Sequence, residues 1–147
     1  MILTRPTLYP TPLIGWREDV CLRDLSTEVL IAKIDTGAKT AALHADDIRV
    51  EGKRVYFTLD LAGKRQHFVL ALHSTKRIKS SNGYSELRPI IETVVEVGAH
   101  RFLTEITLTN RTDMGVPMLL GREALKGRFV VHPARSFILS RRKKKTT

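Results

Sequence analysis

The sequence predicts an all-β domain carrying one short helix in its C-terminal half. Apolar residues alternate with polar ones in several short runs, as at Val55, Phe57 and Leu59 and again at Phe68, Leu70 and Leu72. That period belongs to a strand with one buried face. Glycine-containing turns join such runs in pairs, at Glu51-Gly52-Lys53, Ala62-Gly63-Lys64 and Gly98-Ala99-His100. No stretch sustains helical spacing of apolar residues over four turns.

Taken in order, residues 1–13 contain Pro6, Pro10 and Pro12 and read as an extended arm without regular structure. Residues 14–25 alternate in part (Ile14, Trp16; Val20, Leu22) and predict one or two short strands. The apolar run from Val29 to Ile34 predicts a buried strand. Residues 40–45 fit either a helical turn or the start of another strand. Residues 48–50 and 54–60 form a first hairpin, onto which 66–72 folds, and residues 90–97 and 101–108 form a second. Residues 122–126 predict the helix, with Gly127 as its C-terminal cap. Residues 129–132 and 136–139 are the last strand candidates. There is no internal repeat. This divides the chain into an arm (1–13), one domain (14–140) and a basic tail (141–147).

With 147 residues the chain is long enough for a real core but too short for two ordinary domains. No apolar run approaches the roughly 20 residues of a membrane span, and prolines interrupt the segment where a signal peptide needs an apolar stretch. A single cysteine, Cys21, excludes a disulfide within the chain and suits a reducing compartment. The expectation is a cytoplasmic protein without membrane contact. The net charge is +10, from 25 basic and 15 acidic residues, and Arg141 to Lys145 supply five of those bases. Such a balance attracts acidic partners: nucleic acid, ribosome or a carboxylate-rich peptide. Nucleic acid has only charge in its favour, since no aromatic-rich basic strand appears.

The chemistry centres on Asp35-Thr36-Gly37, which follows the apolar run. A carboxylate at the mouth of a buried strand loses water, so its protonation state becomes tunable. The glycine permits a tight turn or close backbone approach. Asp-Thr-Gly is also the active-site triplet of aspartic proteases. A second segment, Met118 to Leu125 (MLLGREAL), resembles the hydrophobic-hydrophobic-Gly-Arg-x-x-Leu element of retroviral proteases, and Leu43 fits the apolar residue that follows their triplet. The two elements stand in the same order as in those enzymes.

IDTGAKTAALHA and SSNGYSELRP, beginning at Ile34 and Ser80, more closely resemble a bacterial and archaeal family named as ATP-dependent zinc proteases. The likeness extends from about residue 15 to about 139. Members of that family have a retropepsin-like (acid protease) fold, a closed β-barrel, and are associated with ligases that add glutamate to a ribosomal protein. The sequence has neither a phosphate-binding loop of the G-x-x-x-x-G-K-[ST] kind nor an H-E-x-x-H zinc helix. His44, His67, His73, His100 and His132 form no i, i+4 pair, although His44 with Asp46 or Asp47 could meet a metal through a loop. No metal or other cofactor is therefore expected.

The resemblance implies an aspartic-type peptidase. Two carboxylates share a proton and activate one water, because like charges about 3 Å apart cannot both ionise. One Asp-Thr-Gly per chain then implies a homodimer that pairs Asp35 across a two-fold axis. In that reading Thr36 bonds across the axis, Gly37 and Ala38 border the substrate backbone, and Leu120, Gly121 and Arg122 support the loop. A flap is expected at Ser80 to Ser85, where Asn82-Gly83 is a strong hairpin signal and Ser81 and Tyr84 could bond a substrate main chain. Retroviral enzymes carry an Asp two positions after the triplet glycine; here Lys39 occupies it. With Lys76, Arg77, Lys79 and Arg88 it suggests a cleft for acidic, including glutamate-extended, peptides. The family's pattern also includes Glu86 and Arg88, just after the Asn82-Gly83 turn. The competing expectation is a non-catalytic module of the same fold that binds an acidic partner such as a ribosomal protein or RNA.

Overall fold

The computed structural model describes residues 11–79 and 83–140. Most of the predicted arm (1–10), Ser80 to Asn82 in the expected flap, and the basic tail (141–147) lie outside them. Twelve strands and one short α-helix follow in order among the described residues, with a 3-10 turn (Thr112–Met114) after the tenth strand. They are β1 (Leu13–Gly15), β2 (Arg17–Cys21), β3 (Val29–Ile34), β4 (Ala41–His44), β5 (Asp46–Glu51) and β6 (Arg54–Leu61). Next come β7 (Lys64–Ala71), β8 (Ser74–Lys79), β9 (Ser85–Val97), β10 (His100–Thr109), β11 (Met118–Leu120), α1 (Arg122–Leu125) and β12 (Val130–His132).

The main sheet runs β10-β4-β11-β3-β2-β9, and β9 pairs back onto β10, so these six strands close a ring. Closure removes the free edges that would invite association. Strands β4 and β10 are parallel, as are β3 and β11, while the β9–β10 hairpin is antiparallel. Ile14, Leu43, Ile91, Phe102, Ile106, Leu108, Met118 and Leu120 are fully buried inside. A second sheet, β5-β6-β7, lays Val55 and Phe57 onto this core, and Phe57 stacks on Phe68 at 5.6 Å between ring centroids.

Of the two alternatives for residues 40–45 the strand is the one formed, because residues 41–44 complete the ladder between β10 and β11. Other sequence expectations are corrected. The run Val29–Ile34 is buried only at alternate positions; Val29 is 57% exposed and Lys33 faces solvent, since only one face of a ring strand points inward. Strand β8 has no counterpart in the sequence reading. Helix α1 ends at Leu125, with Lys126 as its cap and Gly127 just beyond at φ 75°, the left-handed turn expected there.

Residues 136–139 are not a strand. Their backbone serves a different partner, the carboxylate of Glu18, which is wholly buried. The amides of Ile138 and Ser140 each donate to it at 3.0 Å, that of Leu139 at 3.2 Å, that of Gly15 at 2.6 Å, and the Ser140 hydroxyl at 2.7 Å. A buried charge is tolerated only when hydrogen bonds replace its water. The last described segment is thereby strapped across β2.

Candidate active site

Asp35 leaves the end of β3 and turns immediately. Its own amide donates to the carbonyl of Leu120 at 2.9 Å, which docks the loop onto β11. The Ala38 amide donates to the Asp35 carbonyl at 3.2 Å, closing the turn. The Gly37 amide donates to Asp35 Oδ1 at 3.0 Å, which fixes the carboxylate. Asp35 is half-buried, and Thr36 and Gly37 are exposed.

The Leu120-Gly121-Arg122 element lies beneath this loop. Leu120 is fully buried. A Cβ on Gly121 would come within 2.5 Å of the Thr40 carbonyl oxygen and 2.8 Å of that of Ala38, so only glycine fits under the turn. The next two amides, of Arg122 and Glu123, donate to the carbonyls of Ala38 and Lys39 at 2.8 and 2.9 Å. The Arg122 guanidinium adds a bond from Nη1 to the Thr36 carbonyl at 2.9 Å. Two segments far apart in sequence thus fix every carbonyl from Thr36 to Lys39 except that of Gly37.

Two depressions flank the loop. One, of about 640 Å³, is lined by Thr36, Arg122, Leu125, Phe129, Val130 and Val131. The other, of about 590 Å³, brings Lys39 together with Lys76 of β8. Strands β8 and β9 are antiparallel, paired from Ser74↔Ile90 to Lys79↔Ser85, and the segment where a flap was expected joins them. At its end Gly83 adopts φ 87° and Tyr84 is 76% exposed; Ser81 and Asn82 fall outside the described residues. Arg88 bonds Glu86 at 3.3 Å and Arg77 bonds the Ser85 hydroxyl at 2.8 Å, so these bases are engaged within the hairpin itself.

His44 and Asp46 approach to 3.6 Å, but both have other partners. The Arg111 amide donates to His44 Nδ1, and Arg65 bonds Asp46 and Asp47 at 3.2 Å each. Among the described residues no three of His, Cys, Asp and Glu gather as ligands. The sequence reading missed Glu18 and also Arg128. The Arg128 guanidinium lies over the Phe102 ring at 4.8 Å, bonds the Ala124 carbonyl, and has its pKa lowered by burial.

Comparison with known proteins agrees with this architecture. The chain resembles a crystal structure of a Legionella pneumophila protein of unknown function (DUF785), with a TM-score of 0.73 and 30% identity over 87% of this chain and 98% of that one. It is 38% identical over 135 residues to a probable alpha-L-glutamate ligase of Shewanella halifaxensis. It is 33% identical over 129 residues to one from Parasynechococcus marenigrum. The matches cover 86% and 82% of this chain but only 30% and 28% of those proteins, so the chain spans less than a third of their length. Residues 13–142 match the family model described as RimB-like, retropepsin-like aspartic endopeptidase RimB. With the ring of strands, the Asp35 loop and its glycine-arginine support inside that match, the chain belongs to the RimB-like family of retropepsin-like aspartic endopeptidases.

Proposed function

We propose that this chain is an aspartic endopeptidase of narrow specificity that works as a homodimer on acidic peptides, glutamate-extended ones included. The carrying observation is the Asp35 loop: a half-buried carboxylate on a turn whose backbone is almost fully bonded beneath it. One such carboxylate cannot act as both base and acid. In the dimer, one Asp35 takes a proton from water as its oxygen bonds the scissile carbonyl carbon. The other gives its proton to the carbonyl oxygen. Collapse of that adduct breaks the C–N bond and returns a proton to the leaving nitrogen. Exposed Thr36 and the apolar side of the neighbouring depression, with Val130 at 51% exposure, are suited to a second copy. The single buried Cys21 fits a reducing cytoplasm.

A non-catalytic role, holding an acidic partner, is the second reading. It is favoured by relatives in which the matching region is a minor part of a probable ligase. Sedimentation across a concentration range, with cleavage of acidic peptides measured alongside, decides between them. Activity that rises with the dimer fraction is expected; a strictly monomeric protein that still cleaved peptide would sink the shared-dyad mechanism.

A further inference from the structure

The depression that joins Lys39 to Lys76 has a mixed lining. Lys39 comes from the Asp35 loop, Lys76 from the hairpin arm and Arg128 from the turn after α1. Glu92, Glu105 and Glu123 line the same space. His73 lies at 2.8 Å from Glu105 and 3.9 Å from Glu92, which ties two of those acids to the hairpin's base. Neither lysine has an ion pair within 4.0 Å among the described residues, and both are exposed. Arg128 is the fixed member, held by the Ala124 carbonyl and the face of Phe102, and no described residue accepts from its buried Nε.

A uniformly basic cleft would attract any acidic run. This one should not, because a carboxylate seated near Glu92 or Glu105 is repelled while one between the bases is drawn in. Bases and acids lining one depression make recognition depend on position. We propose that this depression is a subsite for one carboxylate side chain of the substrate at a fixed distance from the scissile bond, held by Lys39 and Lys76 with Arg128 behind them. Arg77 and Arg88, already engaged within the hairpin, take no part. This rests on the peptidase reading for what the substrate is, but binding can be tested without turnover.

The test uses the full chain with Asp35→Asn, so that peptide stays whole, titrated with an acidic peptide in which each Glu is changed to Gln in turn. One position should lose affinity by about tenfold or more, as expected for a charge-assisted hydrogen bond. The other positions should change by less than about threefold, the scale of screened surface attraction. Adding Lys76→Gln should abolish the contrast between positions, and Lys76→Arg should keep it. Equal losses at every position, a contrast that survives Lys76→Gln, or no binding of acidic peptide by the unsubstituted chain would each overturn the subsite. Position-dependent binding by an unsubstituted protein that never cleaves would leave the subsite standing and overturn the peptidase reading instead.

Discussion

Two carboxylates in this chain, Glu18 and Asp35, sit in opposite circumstances. Glu18 is wholly buried and accepts from four backbone amides and a hydroxyl. Asp35 is half-buried and accepts from one amide, that of Gly37. A saturated carboxylate has no lone pair to offer a water or a substrate, so its charge serves only to organise the chain around it. A carboxylate on a braced turn with most of its acceptor capacity free can take part in chemistry. Supporting bonds go to the side chain at Glu18 and to the backbone at Asp35. That placement separates a structural acid from a reactive one more clearly than burial does.

The contrast is broken most sharply at Asp35. Asp35→Asn keeps the Oδ1 acceptor for Gly37 but cannot share a proton, so the cleavage rate should fall by about a thousandfold or more. Its urea midpoint should stay near that of the parent. Cleavage at the parent rate would refute an aspartic mechanism. Glu18→Gln should do the reverse: an amide group must face at least two of the buried donors, costing about 2–4 kcal/mol. Urea unfolding reads that loss, while activity per folded molecule should persist; an unchanged midpoint would mean that the strap contributes nothing. Gly121→Ala sharpens the comparison from a third side, pressing a methyl group into the carbonyls of Thr40 and Ala38. It should cost about 1–3 kcal/mol, as overpacking does, and also lower the rate, because the displaced carbonyls belong to the Asp35 loop. A destabilised variant with full activity would show that the loop is positioned by something else.

How much of this could be read from the residues depends on where the partners lie in sequence. Asp35-Thr36-Gly37 after an apolar run, and Leu120-Gly121-Arg122 before an amphipathic turn, are contiguous patterns, and the structure bonds the second to the backbone of the first. The β6–β7 and β9–β10 hairpins were legible because each alternates around a glycine turn. Strand β8 was not, since Ser74–Lys79 is a polar arm with five of six residues exposed and no buried face to set a period. Residues 136–139 looked like a strand because three of the four are apolar, yet the amides of Ile138 and Leu139 are consumed by the Glu18 side chain, while that of Phe137 donates to the Arg17 carbonyl. Glu18 itself lies in Trp16-Arg17-Glu18-Asp19, which reads as surface. Its donors Ile138 to Ser140 stand over a hundred residues away, and no local pattern reports them.

That separation also has a consequence in time. The bonds from Ile138, Leu139 and Ser140 to Glu18 span 120 to 122 positions, and β1 meets β12 across a similar distance, Leu13 against Val130. Contacts between such remote residues are slow to form, because loop-closure entropy is spent before any bond is made. Until they form, the Glu18 carboxylate keeps its water and cannot be buried, and the first strand lacks its partner β12. Synthesis past residue 140 is needed before the clasp can shut. During that interval β1 presents an unpaired strand edge, the kind of exposed surface through which incomplete chains associate with one another.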